Sequence, residues 1–165
     1  MKKKTLWIAA VALLVVAVLA VGLIVRHRQM ARQVAGAITL KTGGRTFQVP
    51  LEELDQVAFS GETVNGKGER FTHDYRGVPL KKLLEDQQVD LGTVSAVTLT
   101  AADQFSAEYT IDEINEAGKV YLAVQVDGQG VEGIDPGTPG AQMVVFGDPN
   151  SKRNVRFLSV IETAP

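Results

Sequence analysis

The chain contains no cysteine, two histidines and one tryptophan, and only 6% of its 165 residues are aromatic. Without a thiol there is no disulfide, no cysteine-held zinc or iron–sulfur centre, no cysteine nucleophile and no lipoprotein attachment site. His27 and His73 lie far apart, so a histidine-rich metal site is not legible either. Asn65, Asn115, Asn150 and Asn154 all lack the hydroxyl residue two positions on, so no N-glycosylation acceptor is present. Gly66-Lys67-Gly68 lacks the spacing and the Ser/Thr of a phosphate loop. Asp127, Glu132 and Asp135 do not follow the alternate-position pattern of a calcium loop and read as solvated loop charges.

One long stretch lacks charge altogether. Residues 6–25, LWIAAVALLVVAVLAVGLIV, are about 20 consecutive uncharged residues, enough at ~1.5 Å rise per residue to cross a ~30 Å hydrocarbon core as a helix. Lys2, Lys3 and Lys4 precede it, and Arg26, His27 and Arg28 follow it. The run is longer than a signal-peptide core of about 7–15 residues and ends in basic residues, so an uncleaved anchor is expected over a cleaved signal. The charge balance and the behaviour of a first span place residues 1–5 in the cytoplasm. The expected order is then a cytoplasmic N-terminus (1–5), a transmembrane anchor (6–25), a connector (26–37) and an extracytoplasmic domain (38–165). This makes the chain a single-pass protein of the cell membrane. Without the three leading lysines, 14 basic residues (17 − 3) face 19 acidic ones, so no basic stripe is left for nucleic acid.

Beyond the connector, the alternating residues 38–42 and 45–49 flank Gly43-Gly44 and predict a β-hairpin. Pro50 is expected to open a short helix, PLEELDQ. Strands are expected near 57–60 and 69–75, on either side of the turn sequence Asn65-Gly66-Lys67-Gly68. In YRGVPLKKLLED, Gly77 predicts a turn, Pro79 a helix start, and Leu80, Leu83 and Leu84 one buried face. Strands follow at 94–100 and 105–109. Thr110-Ile111-Asp112-Glu113 then has the capping-box pattern of a helix start. Residues 120–126 form a strong strand pattern. Residues 127–140, with five glycines and two prolines, predict a long irregular loop. Two last strands are expected at 141–146 and 154–162. The sum is an α+β domain with short helices set against mostly antiparallel strands.

Read in order, RGVPLKKLLE, VTLTAADQFSAEYTIDEI, VYLAVQVDGQGVEGIDPGTPGAQMVVFGD and VRFLSVIE resemble the molybdopterin-binding domain of the sulfite-oxidase-type oxidoreductases. The chain looks like a small, single-domain, membrane-anchored bacterial version. The resemblance covers about residues 51–162. It implies the sulfite-oxidase-like α+β fold and, in metal-binding members, a molybdopterin cofactor whose molybdenum is held by a cysteine thiolate. Three departures stand out. The region expected to carry the cysteine reads VAFSGETVNGKGER, with Ser60 as its nearest hydroxyl, a much poorer ligand for a soft metal. The family's Asp-Gly-aromatic turn is Asp103-Gln104-Phe105, and its post-Gly-Pro arginine falls near Gln142. The hydrophobic and glycine framework is intact, so the fold is expected whether or not the cofactor is held.

Arg70, His73, Arg76, Lys152 and Arg153 are the residues expected to line a family-like binding pocket. In this role the cations would meet an anionic cofactor. The alternative for His73 is an exposed strand residue beside Asp74, and for Lys152 and Arg153 a solvated hairpin tip. No catalytic set and no metal ligand are assigned. A Ser-His-Asp set is not legible, and Ser60, His73 and Asp103 would have to meet through the fold. The expected function is a non-catalytic binding or interaction module serving a membrane redox or transport system, with a membrane-protein partner. The alternatives are a molybdopterin-dependent oxidoreductase with atypical metal ligation and a small-ligand receptor using residues 127–140 as a lid.

Overall fold

The computed structural model describes residues 35–149 and 151–165. The apolar run 6–25 and most of the connector lie outside them. Among the described residues, no helix is long and apolar enough to cross a membrane.

The chain enters a hairpin, β1 (Ala37–Thr42) and β2 (Arg45–Pro50), closed by Gly43 and Gly44 at φ +52° and +75°. Its six pairs run from Ala37 opposite Pro50 to Thr42 opposite Arg45. Pro50 thus ends a strand and does not open a helix. Only a three-residue 3-10 turn, Leu51–Glu53, follows it. The Leu51 amide donates to the Gly36 carbonyl at 2.8 Å, and its side chain is buried. A short turn that satisfies its backbone and buries its one leucine needs no further helical residues.

β3 (Val57–Val64) and β4 (Arg70–Pro79) make the longest ribbon, joined by a turn in which the Asn65 side-chain oxygen accepts from the amides of Lys67 and Glu69. β4 runs on through Gly77, where the sequence suggested a turn. The reason is close approach. A Cβ at Gly77 would lie 1.9 Å from the Leu122 carbonyl oxygen, at an irregularity in the pairing of β4 with β7. α1 (Leu80–Asp86) then begins after Pro79 and buries Leu80, Leu83 and Leu84, as its spacing predicts.

β5 (Ala96–Ala101) and β6 (Ser106–Thr110) form a second hairpin, and α2 (Ile111–Asn115) carries the full capping box between Thr110 and Glu113. β7 (Val120–Val126), β8 (Gln129–Gly130), β9 (Gln142–Val145) and β10 (Leu158–Ala164) complete the set. β10 begins later than the apolar pattern suggests. Val155 makes only an isolated bridge to Met143, and Phe157 sits at φ +51° just before the strand.

One sheet has the order β2-β1-β10-β5-β6. In it β1 and β10 are parallel and the other neighbours antiparallel. The second sheet runs β3-β4-β7-β8, with β9 also on β7. Ile38, Leu40, Leu99 and Ile161 of the first sheet share one core cluster with Val78, Leu122 and Met143 of the second and with the α1 leucines. The architecture is α+β, with few and short helices among the described residues.

Candidate functional site

The second sheet has two unlike faces. Val78, Leu122 and Met143 point into the shared core. The opposite face carries a smaller aromatic cluster built on Tyr75, Ala123 and Val144, with Phe59 and Phe146 against it. Phe59 stacks on Tyr121 at 4.1 Å between ring centroids and on Tyr75 at 5.2 Å. The Phe146 ring lies so close to Gly61 that a Cβ there would stand 2.2 Å from a ring carbon. Glycine at position 61 is therefore a packing requirement of the cluster, next to the hydroxyl of Ser60.

His73 stands at the rim of this cluster, between Phe71 and Tyr75. Its Nδ1 lies 2.7 Å from Asp127 Oδ2. The other carboxylate oxygen of Asp127 accepts the Asp74 amide at 3.0 Å, and the Asp127 amide donates to the Asp74 carbonyl at 2.7 Å. The Asp74 amide, and then His73, hold the Asp127 carboxyl below its ordinary range. With Asp127 as acceptor, Nδ1 carries the proton, and the ring's orientation is set by a second residue. Asp127 is thus an exposed charge, as its sequence context suggested, and also an anchoring residue, which that context did not disclose. The usable signal was Asp127-Gly128. Both residues have positive φ, +50° and +78°, and they join β7 to β8 as a two-residue hairpin.

Ser60 and Asp74 are paired across the ribbon, as are Ala58 and Arg76, and Val64 and Arg70. The Ser60 hydroxyl donates to Asp74 Oδ1 at 2.8 Å. These two residues, Arg76 and Gln125 line a shallow cleft of about 380 Å³. Arg70 is paired with Glu62. Ser60 and His73 lie at odd register to each other and use different carboxylates. Asp103 is in the turn of the other sheet, where it accepts the Phe105 amide at 3.1 Å. The three do not form a catalytic set.

Arg153 lies elsewhere. Its guanidinium reaches Glu113 at 2.7 Å and Asp148 at 2.5 Å, and it sits 5.1 Å from the centre of the Tyr109 ring. Tyr109 donates its hydroxyl proton to the Arg153 carbonyl. Arg153 holds the Glu113 carboxyl down to about 2, and burial raises the Tyr109 phenol. Its neighbour Ser151 accepts the Val64 amide at 2.9 Å, which brings the turn carrying Lys152 to the Arg70 end of the ribbon. His73 and Arg76 lie three and six residues along β4 from Arg70, about 10 and 20 Å at strand rise.

The five expected pocket residues therefore do not converge. Arg70, His73 and Arg153 each face a carboxylate of the same chain. Arg76 alone of the five lines the Ser60–Asp74 cleft. This donor set does not fit an anionic pterin cofactor held through a soft metal ligand: the ribbon offers a hydroxyl already donated to a carboxylate, Arg70 is paired with Glu62, and Arg76 alone is left to meet an anion in the cleft. Gln104, where the resemblance leads one to expect a glycine, has a left-handed backbone at φ +76°.

No family model matches the chain, and no curated protein does. Among solved structures, the fold is similar to that of the sulfane dehydrogenase SoxCD from Paracoccus pantotrophus, with a TM-score of 0.62 at 14% identity. The match covers 77% of this chain and 37% of that one, so this chain spans little more than a third of its neighbour's length. At such identity the likeness is one of fold, and it supports a distant relationship in architecture between this chain and that dehydrogenase.

Proposed function

We propose that this chain is a membrane-anchored extracytoplasmic protein that uses a sulfite-oxidase-like fold as a non-catalytic binding or interaction module, beside a membrane redox or transport system. The observation that carries the reading is the Ser60–Asp74 pair. Where the resemblance leads one to expect a thiolate, β3 presents a hydroxyl whose proton goes to a carboxylate 2.8 Å away. The absence of cysteine from the whole sequence and the internal pairing of Arg70, His73 and Arg153 support it. The anchoring is supported by the uncharged run 6–25 and its basic flanks.

The test is elemental and pterin analysis of the full-length chain, purified from cells with active molybdopterin biosynthesis. The module reading expects neither molybdenum nor pterin. Molybdenum near one per chain, with pterin, would make the chain an oxidoreductase with atypical ligation. Loss of that cofactor on Arg76→Ala would then place it in the Ser60–Asp74 cleft.

A further inference from the structure

β3 is an outer strand of its sheet, with β4 on one side and, among the described residues, no strand on the other. Main-chain groups of such a strand alternate between its two sides. The Asn65 amide donates to the Glu69 carbonyl at 2.9 Å, so the bonded pairs of the ribbon are Thr63 with Phe71, Gly61 with His73, Phe59 with Tyr75 and Val57 with Gly77. Two contacts outside the ribbon agree. The Val64 amide turns away from β4 to the Ser151 hydroxyl oxygen, and the Asp74 amide and carbonyl both serve Asp127. Ala58, Ser60 and Glu62 therefore aim their amides and carbonyls outward, and all three residues are exposed.

Proteins blunt open edges with proline, lysine, bulges or short length. β2 carries Arg45 and Pro50, β6 has five residues with Glu108 among them, and β8 has two residues. β3 has eight residues, no proline, no cation and an unbroken register with β4. Its one charge is Glu62.

An antiparallel copy of β3 can pair all three outward residues with one another only when the twofold axis lies at Ser60. Ser60 then faces Ser60, and Ala58 faces Glu62 on each side, giving three pairs with two main-chain bonds each. An axis at Glu62 would set two carboxylates face to face. An axis at Phe59 would set Glu62 against Gln56, outside the strand, and one at Gly61 would set Ala58 against Val64, whose amide is engaged. The side chains suit the Ser60 register. Each Glu62 would cross the small Ala58 of the other copy toward Arg76, which is paired with Ala58 on β4. On the other face Phe59 would lie opposite Gly61, beside the Phe146 ring that already covers that glycine. Val57, 42% exposed, would gain Thr63 as a neighbour.

We propose that two copies of this chain join antiparallel through the outer edges of β3, about a twofold axis at Ser60. Such a dimer goes beyond the module reading and does not depend on it: a dimer that held molybdenum would overturn that reading and leave this one standing.

The absence of native cysteine makes the register testable, since one introduced thiol is the only one in each chain. In the full-length protein, purified in mild detergent and gently oxidised, Ser60→Cys should crosslink to itself. A directly opposed bonded pair has its Cα atoms about 5.5 Å apart, within disulfide reach. Ala58→Cys alone and Glu62→Cys alone should not crosslink, because each stands opposite the other position, but a mixture of the two should. Sedimentation should show a concentration-dependent dimer, weakened about tenfold by Ala58→Glu, which sets like charges opposite each other on both sides of the axis. The double variant Ala58→Glu/Glu62→Lys should regain wild-type association. A chain that stays monomeric at every concentration, thiols at positions 58, 60 and 62 that crosslink alike, or undiminished association in Ala58→Glu would each overturn the proposal.

Discussion

The chain after β7 and the chain after β9 are both long connections, but they are fastened by different means. Beyond the Asp127 carboxylate at their start, residues 127–140 are held by main-chain hydrogen bonds and by close backbone contact at Gly140. The turn carrying Asp148 and Arg153 is held by side chains: one guanidinium forked between two carboxylates over a tyrosine ring. The first arrangement engages Asp127 with His73 at its start and leaves Glu132 and Asp135 without an ion pair among the described residues. The second uses its charges on itself. Local charge density thus says little about where a partner binds. What matters is which charges the fold has already neutralised.

Four measurements would break or sharpen this contrast. Gly140→Ala should cost the most, about 2–3 kcal/mol in denaturant unfolding, because overpacking against fixed atoms is not relieved by rotamer change. The added Cβ would lie 2.5 Å from the Gly133 nitrogen and 2.6 Å from the Glu132 carbonyl. A loss under about 0.5 kcal/mol would mean that the arm is soft and that main-chain fastening is the wrong description.

Arg153→Ala comes next, at about 2 kcal/mol, because it strands two partly buried carboxylates. Arg70→Ala is its exposed counterpart and should cost under about 1 kcal/mol. Equal losses in the two variants would erase the distinction between the fork and a surface pair.

The fork should also show in acid. Arg153 depresses the Glu113 carboxyl from 4.5 to about 2 in the folded chain. A group with a lowered folded pKa contributes stability above its unfolded value and loses it as pH falls through the folded one. Melting temperature should therefore decline between about pH 4.5 and pH 2 through this group. Glu113→Gln should flatten that limb, and an identical acid profile in the variant would refute the assignment.

The smallest effect belongs to the β5–β6 turn, which is closed by short-range hydrogen bonds of its own, such as that from the Gln104 amide to the Ala101 carbonyl. Gln104 occupies a left-handed backbone that costs a side-chain-bearing residue about 1–2 kcal/mol, partly offset by the freedom glycine has when unfolded. Gln104→Gly should stabilise by about 0.5 kcal/mol. Destabilisation would show that the Gln104 side chain contributes more than its backbone costs.

What the sequence discloses about this fold is mostly local. The Gly43-Gly44 hairpin, the α1 leucines and the Thr110–Glu113 capping box each need only a few neighbouring residues, and each is found where the pattern places it. Gly77 was misread because its cause is a carbonyl on β7, more than forty positions away in the chain. Asp127 was missed for the same reason, since its partners His73 and Asp74 lie on β4. The cations proposed for one pocket were picked by charge alone. Their separation follows from strand register, which makes odd and even positions face apart, and from carboxylates brought in by other elements.

The parallel pairing of β1 with β10 has a kinetic consequence. β10 is the middle strand of its sheet, and among the described strands it comes last in chain order. The β1–β2 hairpin can close at once on emergence, but its open edge must wait for nearly the whole domain before Val160 and Ile161 arrive opposite Thr39 and Leu40. Such a high-contact-order closure is expected to be slow, and to leave an unpaired strand edge exposed while it waits. The interval between the first hairpin and the last strand is when this domain is most open to aggregation, and most in need of a chaperone.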